Sequence, residues 1–372
     1  IWEYYLKPTN AEWFVMSLYV LVFLISIIGN CLTIAFILRR KHLRTTINYF
    51  MLNLALADIM VTIICLPPTL MVDFMESWLV GQFLCKFTPY LQMAVTSVSS
   101  LSLGAIAVNR WFVVCHPLKV ARTRRSAKHA LLTMTSIWLF SLITLCPIIF
   151  VTELTEDFPG YKELNLLKSC GEHWTTFLHQ AVFHIYYVTV CYALPLMVMA
   201  IAYTNVFRKL SYTKIPGHVS RIRTKFPFQI ESKQPDRKEA RRRISGKVLQ
   251  RNLIQSRKRS GRIQVALVVV YFLCYSPAMV LDLIRRTSDL FTSVHRESTY
   301  FLFAIAHLLV YLNSALNPII YNCFSVQFRK EFRLTFNCCF SSSSQRRNSV
   351  RSTAALRSLE DTKDRTSCDM ML

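Results

Sequence analysis

The sequence predicts an all-α membrane protein, in which a bundle of seven transmembrane helices is followed by a short cytoplasmic amphipathic eighth helix. Hydrophobic residues make up 53% of the 372 residues, and the mean hydropathy of +0.32 is too high for a chain that must stay in water. The apolar residues form seven blocks, each long enough to cross about 30 Å of hydrocarbon as a helix of about 20 residues. The predicted spans are Glu12–Leu38, Asn48–Met75, Gln82–Cys115, Ala130–Phe150, Thr176–Leu210, Ile263–Ile284 and Thr299–Cys323.

The distribution of charge predicts the orientation of the bundle. Basic clusters such as Arg39–Lys41 and Arg241–Arg243 follow the first and fifth spans, and a further cluster follows the third. The loops after the second and fourth spans are acidic, with Asp73 and Glu153 among their residues. Cytoplasmic loops are enriched in Lys and Arg. We therefore expect a multi-pass protein of the plasma membrane, with its amino terminus outside the cell and its carboxyl terminus in the cytoplasm. The net charge of +23 is therefore explained by the basic loops on the cytoplasmic side of the membrane, and nucleic acid is not an expected partner.

This topology divides the chain into four parts. Residues 1–11 are predicted to be an extracellular segment, and residues 12–323 the bundle, with a third inner loop at about 211–262. Residues 324–337 are predicted to form an amphipathic helix in contact with membrane lipid, because Phe328, Phe332 and Phe336 recur at helical spacing among basic residues. Residues 338–372 are the cytoplasmic tail.

Cysteines at two places differ from those inside the spans. Cys85 and Cys170 both fall on the predicted outer side, which is oxidising, and we expect a disulfide between them. Cys338 and Cys339 follow the amphipathic helix on the inner side, where palmitoylation is predicted, with unmodified thiols as the alternative.

Asp58 is the only acidic residue deep within its span, where a charge is costly and needs a reason. Neutral oxygens that other spans offer come from Ser99, Asn313, Ser314 and Asn317. A carboxylate surrounded by neutral oxygens suits a hard cation such as sodium, and we expect no cofactor apart from this allosteric ion. A purely structural hydrogen-bond network explains the same residues equally well.

Two further features predict moving parts. Pro277 and Pro318 lie inside the sixth and seventh spans, where a proline removes a backbone hydrogen bond and kinks the helix. Arg110 lies beside Asn109 near the inner end of the third span; the alternative is that its side chain only snorkels to the membrane surface.

Taken together, these motifs resemble those of the rhodopsin-like G-protein-coupled receptors. The resemblance contributes one element per span, in order, over about residues 2–339. Its elements are Gly29-Asn30, Leu54 to Asp58, Cys85, Asn109-Arg110-Trp111, Trp138, Pro195 with Tyr203, Cys274-Tyr275-Ser276-Pro277, and Asn317-Pro318-Ile319-Ile320-Tyr321.

Within this class, the outer and loop segments are similar to those of the orexin receptors and the related allatotropin receptors. The segments that carry this similarity are Trp2 to Leu6, Glu12-Trp13, Glu76 to Gln82, Pro89 to Gln92, Phe158-Pro159-Gly160, Ile215-Pro216-Gly217 and His307 to Ser314.

The resemblance implies a neuropeptide site among the outer halves of the helices. The matching positions are Thr69, Val72, Pro89, Gln92, Met93, Glu172, His184, Tyr187, Tyr275, Asp282, His307 and Tyr311. Aromatic walls with a few amide, imidazole and hydroxyl groups suit the terminus of a peptide. For Gln92, His307 and Tyr311 the alternative is an interhelical hydrogen bond without a ligand. Asp282 stands where the orexin group has asparagine, so the preferred peptide is expected to differ.

The resemblance also implies the partners inside the cell. Arg110, Tyr203 and Tyr321 would regroup to receive a heterotrimeric G protein, of the Gq class that mobilises calcium, when the sixth helix swings about Pro277. Arrestin and receptor kinases would act on the serine-rich tail, for which a solvated and unmodified tail is the alternative. The family has an acid where this chain has Asn109, and we expect raised basal signalling from that difference.

The sequence lacks the residues that other classes of membrane protein would need. No HExxH or GxSxG motif supports an enzyme, and eight glycines are few for a transporter with unwound helices. A retinal-type light sensor would need a lysine in the seventh span, and residues 299–323 contain none. An amine receptor would need an aspartate where Gln92 stands. The remaining alternative is a receptor of the same class for an RFamide-like or other amidated peptide.

Overall fold

A computed structural model describes residues 10–75, 77–116, 127–156, 168–212, 237–288 and 296–335 of the protein. Among these residues, seven helices are long and apolar enough to cross a membrane, which confirms the predicted seven-helix architecture. The helices are α1 (Asn10–Arg39), α2 (Thr46–Met75), α3 (Gly81–Cys115), α4 (Ala127–Thr144, continued by Pro147–Val151), α5 (Phe177–Tyr186, Tyr187–Ala193 and Leu194–Tyr212), α6 (Arg237–Thr287) and α7 (Arg296–Phe324).

Two helices contain π-helical turns, and each turn lies just before a proline. Val61–Cys65 in α2 precedes Pro67, and Tyr187–Ala193 in α5 precedes Pro195. A proline donates no backbone hydrogen bond and its ring crowds the preceding turn. The wider π turn relieves this crowding, so that both helices continue through the membrane with a local bulge.

The helices are not equally buried. In the most apolar window of each span, 72% of the residues of α3 are buried in the protein, against 22% for α4. Large apolar side chains on the outside of the bundle remain exposed, for example Phe83 (75%), Ile143 (70%) and Phe150 (73%). An apolar exterior of this kind requires lipid as the surrounding solvent. Therefore α3 lies at the centre of the bundle and α4 at its edge.

A short β-hairpin lies at one end of the bundle, which we call the hairpin end. Strands β1 (Thr152–Glu156) and β2 (Lys168–Glu172) are antiparallel, with Leu154 opposite Cys170. The backbone amide of Trp78 donates to the carbonyl of Lys168 at 2.7 Å. This bond joins the α2–α3 connection to the hairpin.

At the opposite end, which we call the Arg110 end, the chain differs from the prediction in one respect. Residues 237–262, predicted as part of a loop, continue α6 as helix. The segment contains no proline and is rich in Arg and Lys, which favour helix.

A short helical segment follows α7. The helix breaks at Ser325, and residues 326–335 are again helical. Phe328 is buried and its ring lies 6.4 Å from Phe36 of α1, while Arg40 pairs with the buried Glu331 at 2.9 Å. These contacts attach the segment to α1; its predicted place at the membrane surface stays a prediction.

Candidate ligand cavity and cytoplasmic switch

A cavity of about 260 Å³ opens at the hairpin end between α2, α3, α5, α6 and α7. The wall combines aromatic and aliphatic side chains with amide, imidazole, carboxylate and guanidinium groups. Of the twelve predicted ligand residues, eleven line it: Thr69, Val72, Pro89, Gln92, Met93, Glu172, His184, Tyr187, Tyr275, Asp282 and His307.

Tyr311, the twelfth predicted residue, lies behind the cavity wall. Its side chain is fully buried, and its hydroxyl lies 2.7 Å from Thr69 Oγ1 and donates to Gln92 Oε1 at 3.3 Å. This arrangement agrees with the alternative of an interhelical hydrogen bond. Tyr311 therefore positions two side chains of the cavity, one on α2 and one on α3.

The predicted disulfide is confirmed, and it determines where the hairpin lies. Cys85 at the start of α3 is bonded to Cys170 in β2. Since Glu172 is two residues beyond Cys170 in the same strand, both side chains point to the same side of the hairpin. Both residues line the cavity. The disulfide thus fixes β2 across the cavity mouth.

Glu172 is held by groups from three elements. Arg286 of α6 lies 2.9 Å from Oε1, Trp174 donates to Oε2 at 2.7 Å, and Nε2 of His184 lies 3.5 Å from Oε2. Burial alone would raise the pKa of the Glu172 carboxyl, but hydrogen bonding with His184 and the charge of Arg286 outweigh burial and bring the pKa below its usual range. Glu172 therefore stays ionised at neutral pH and links the hairpin to α6.

Asp73 also lines the cavity, although the sequence predicts it in an outer loop and not at the site. The buried hydroxyl of Tyr19 donates to Asp73 Oδ2 at 2.8 Å, and Nδ1 of His307 lies 3.3 Å from Oδ1. Asp73 thus joins α1, α2 and α7 at the cavity. Its spacing after Thr69, four residues on the same helix, is the signal that could have found it.

Arg285 and Arg286 were also missed. Arg286 follows Asp282 by four residues, and it lines the cavity together with Arg285. Arg285 lies 5.2 Å above the ring of Phe303 in α7. Since helical spacing brings residues four apart to one face, Asp282 was the available signal for Arg286.

The predicted polar cluster around Asp58 is buried in the bundle. Asp58 is 2% exposed, and Asn317 donates to its Oδ2 at 2.8 Å. Asn30 donates to the backbone carbonyl of Ser314 at 3.0 Å, while Asn30 Oδ1 has no hydrogen-bond partner in the part of the chain that is described. Ser99 and Asn313 are buried as well.

Of the predicted switch residues, Arg110, Tyr203 and Tyr321 lie toward the Arg110 end. Arg110 of α3 and Tyr203 of α5 are within electrostatic range of each other, and the ring of Tyr321 lies 5.7 Å from that of Phe328. Asn109 precedes Arg110 in α3, and Pro277 and Pro318 lie inside α6 and α7 as expected. The palmitoylation sites Cys338 and Cys339 lie outside the described residues.

Comparison with known proteins identifies the family. The model of the seven-transmembrane receptors of the rhodopsin family matches residues 29–321, which is most of the chain. The protein therefore belongs to this family of receptors, whose members are not enzymes.

Two known receptors are similar to this chain over most of its length. A QRFP-like peptide receptor from Branchiostoma floridae is 26% identical over 329 residues, covering 88% of this chain and 79% of that receptor. A cholecystokinin receptor from Xenopus laevis is 28% identical over 367 residues, covering 90% of this chain and 79% of that receptor. The similarity to both spans nearly the whole bundle.

Proposed function

We propose that this protein is a receptor that binds a peptide at the hairpin end and activates a heterotrimeric G protein at the Arg110 end. The observation that carries the proposal is the cavity, which eleven of the predicted ligand residues line and which a disulfide-linked strand partly covers. The names of the two relatives, a QRFP-like peptide receptor and a cholecystokinin receptor, support a peptide as the ligand.

The chemistry of the cavity fits the end of a peptide chain. Tyr187 and Tyr275 offer aromatic surface, and Gln92 and His307 offer hydrogen-bonding groups to a terminal amide. With an opening at the hairpin end, the remainder of the peptide would lie over β2 and residues that precede α1. The resemblance supports an orexin-like or allatotropin-like peptide, with an RFamide-like or other amidated peptide as the second candidate.

In this proposal the hairpin end faces the outside of the cell. The disulfide supports this orientation because disulfides persist in oxidising compartments, and the basic clusters at the Arg110 end support it through the positive-inside bias. Peptide binding favours a conformation in which α6 moves outward about Pro277 and opens a groove for the G protein. The Gq class is proposed from the resemblance alone.

A calcium assay tests the proposal. Cells expressing the full chain would be exposed to amidated orexin-like, allatotropin-like, RFamide, QRFP-type and cholecystokinin-type peptides. Chimeric G proteins would be expressed in the same cells, so that coupling to a class other than Gq also releases calcium. We expect one peptide class to respond, with Gln92→Ala raising its half-maximal concentration. Gln180→Ala is the matched control, because Gln180 lies outside the cavity on α5. If no peptide releases calcium in cells that carry the receptor on their surface, the proposed function is rejected. If Gln92→Ala and Gln180→Ala have equal effects, the cavity is rejected as the binding site.

We also propose that a sodium ion binds beside Asp58. The support is the buried carboxyl group of Asp58 together with Asn30 Oδ1, a buried oxygen without a partner among the described residues. If this is right, sodium lowers agonist affinity in the wild type and has no effect in Asp58→Asn. An equal sodium effect in both proteins would leave the hydrogen-bond network as the explanation.

Three proposals concern residues beyond those described and rest on the sequence. Palmitate on Cys338 and Cys339 would anchor the tail to membrane lipid, and receptor kinases would phosphorylate its serines to recruit arrestin. Metabolic labelling with a palmitate analogue, and arrestin recruitment with and without a truncated tail, test these modifications separately.

A further inference from the structure

A groove lies on the outside of the bundle between α2 and α3, toward the hairpin end. Its volume is about 330 Å³, compared with about 260 Å³ for the ligand cavity. Helix α2 contributes Ile63, Ile64, Pro67, Pro68 and Met71, and two aliphatic residues at the start of α3 complete the wall. Ile63 is 53% exposed and Pro67 is exposed as well. In a membrane this apolar groove therefore opens into the hydrocarbon.

The backbone carbonyl of Ile63 lacks the usual donor. A helical carbonyl accepts from the N–H four residues later, or five residues later in a π turn. For Ile63 these positions are Pro67 and Pro68, and a proline has no N–H. The amide of Leu66 donates to the carbonyl of Val61 instead. The Ile63 carbonyl therefore has no backbone donor at either helical spacing.

This carbonyl faces the groove. Carbonyl groups point along a helix toward its carboxyl end, which for Ile63 is the direction of Pro67, and both residues line the groove. The hydroxyl of the preceding residue, Thr62, donates to the carbonyl of Asp58 at 2.6 Å. Hydrocarbon contains no water to replace a missing donor, so an unpaired carbonyl there is destabilising. A bound molecule that brings a hydroxyl to this point removes that destabilisation.

The depth of Ile63 decides which molecule can supply the hydroxyl. Ile63 lies twelve residues before Met75, the last residue of α2, and this separation is about 18 Å at 1.5 Å per residue. One leaflet of hydrocarbon is about 15 Å thick, which is half of about 30 Å. A lipid held at the membrane surface by its polar group therefore reaches Ile63 only with the far end of its apolar part. Cholesterol ends there in methyl groups and offers no donor.

We propose that the groove binds a sterol with a second hydroxyl group at the end of its side chain, which we call a side-chain hydroxysterol. Its rings pack on the apolar walls, and its side-chain hydroxyl donates to the carbonyl of Ile63. A rigid ring system loses less conformational freedom on binding than a flexible acyl chain, which favours a sterol over a hydroxylated fatty acid. Pro68 and Met71 line the groove, whereas Thr69 and Val72 line the cavity. The site is thus distinct from the ligand cavity and does not depend on the proposed function.

Photoaffinity labelling of the full chain in lipid nanodiscs tests the proposal. The probe is a photoreactive side-chain hydroxysterol, and the competitors are the unlabelled hydroxysterol and cholesterol. In the wild-type protein the hydroxysterol should compete at a concentration about fivefold lower than cholesterol, which is the effect of one hydrogen bond. Mass spectrometry should place the label on the segment of α2 that contains Met71 or at the start of α3.

Three variants locate the site. Pro67→Ala supplies the missing N–H to the Ile63 carbonyl and leaves the groove open, so it should abolish the fivefold preference while cholesterol competes as before. Ile63→Trp fills the groove and should prevent labelling there. Leu56→Trp is the matched control, because Leu56 is a 46% exposed residue of the same helix outside the groove. Its labelling should equal that of the wild type.

The outcomes decide for or against the groove. Equal competition by the two sterols in the wild-type protein, or a preference that survives in Pro67→Ala, would overturn recognition by the Ile63 carbonyl. Labelling that Ile63→Trp leaves intact, or that Leu56→Trp reduces equally, would overturn the groove as the site. If Pro67→Ala does not fold, the sterol preference of the wild type and the two tryptophan variants still decide. None of these measurements uses a peptide or a G protein, so failure of the proposed function would leave them unchanged.

Discussion

The contact between Gly29 of α1 and Pro318 of α7 gives a sharp test of the packing of the bundle. A Cβ atom added at Gly29 would lie 2.7 Å from Pro318 Cβ and 2.8 Å from Pro318 Cγ. Carbon atoms in contact normally lie about 3.5 to 4.0 Å apart, so Gly29→Ala creates an overlap of about 1 Å. The proline ring is closed and cannot rotate away, and one of the two helices must shift.

The magnitude follows from two opposed effects. Overpacking of this kind costs about 1 to 3 kcal/mol, whereas replacing glycine by alanine within a helix gains about 0.5 to 1 kcal/mol. A shift of α1 also stretches the bond from Asn30 to the carbonyl of Ser314, now 3.0 Å, which contributes about 1 kcal/mol. We therefore expect a net loss of about 1 to 3 kcal/mol in the free energy of unfolding.

Thermal unfolding of the detergent-solubilised protein, followed by tryptophan fluorescence, measures this loss. Gly29→Ala should lower the melting temperature by about 2 to 6 °C. Gly104→Ala is the matched control, because its added Cβ would meet only Pro195 Cβ at 3.9 Å, an ordinary contact. A melting temperature for Gly29→Ala equal to or above that of Gly104→Ala would refute the close approach of α1 and α7.

Three other substitutions test the charged and polar groups. Glu172→Gln should lower the melting temperature at pH 7. A carboxyl group whose pKa is lowered by folding stabilises the protein above the pKa of the unfolded state, and this stabilisation is lost as the pH falls through the pKa of the folded state. The difference in melting temperature from the wild type should therefore disappear as the solution is acidified below about pH 4. Tyr19→Phe removes the hydroxyl that donates to Asp73 at 2.8 Å, so it should destabilise the protein by about 1 to 3 kcal/mol in thermal unfolding. Asn109→Asp places a carboxylate beside Arg110 and should lower ligand-independent nucleotide exchange.

Each of these expectations has an outcome that contradicts it. A difference between Glu172→Gln and the wild type that grows at acid pH would mean that the carboxyl is stabilised in its protonated form. Unchanged melting of Tyr19→Phe would show that the contact with Asp73 contributes nothing net. Equal basal exchange with and without Asn109→Asp would reject the proposed effect of the missing acid.

Much of the architecture follows from the sequence because lipid imposes simple rules. A span of about 20 apolar residues can form all of its backbone hydrogen bonds in hydrocarbon only as a helix. The helices α1 to α7 could therefore be predicted from the length and hydrophobicity of the seven segments. The disulfide between Cys85 and Cys170 was also predictable, since both cysteines fall on one predicted side. Proline positions marked the interruptions of α2 and α5, although not their π-helical form.

The composition of the cavity was less predictable. Eleven of the residues implied by the resemblance line it, but the sequence places Asp73 in a loop and does not assign Arg286 to the site. Both become lining residues only through contacts with distant elements, Asp73 with Tyr19 and Arg286 with Glu172. A sequence shows the charge of each residue but not its partner.

The seven spans, the positions of the charged loops and the pairing of Cys85 with Cys170 could all be predicted from the order of the residues, because they depend on local hydrophobicity and on the side of the membrane. The packing of the helices, and not the order of the residues, places Tyr311 behind the cavity wall and Gly29 against Pro318. Side chains that face lipid and side chains that face neighbouring helices are both apolar, so hydrophobicity alone does not distinguish the inner faces. The arrangement of those faces depends on the packing of side chains between helices.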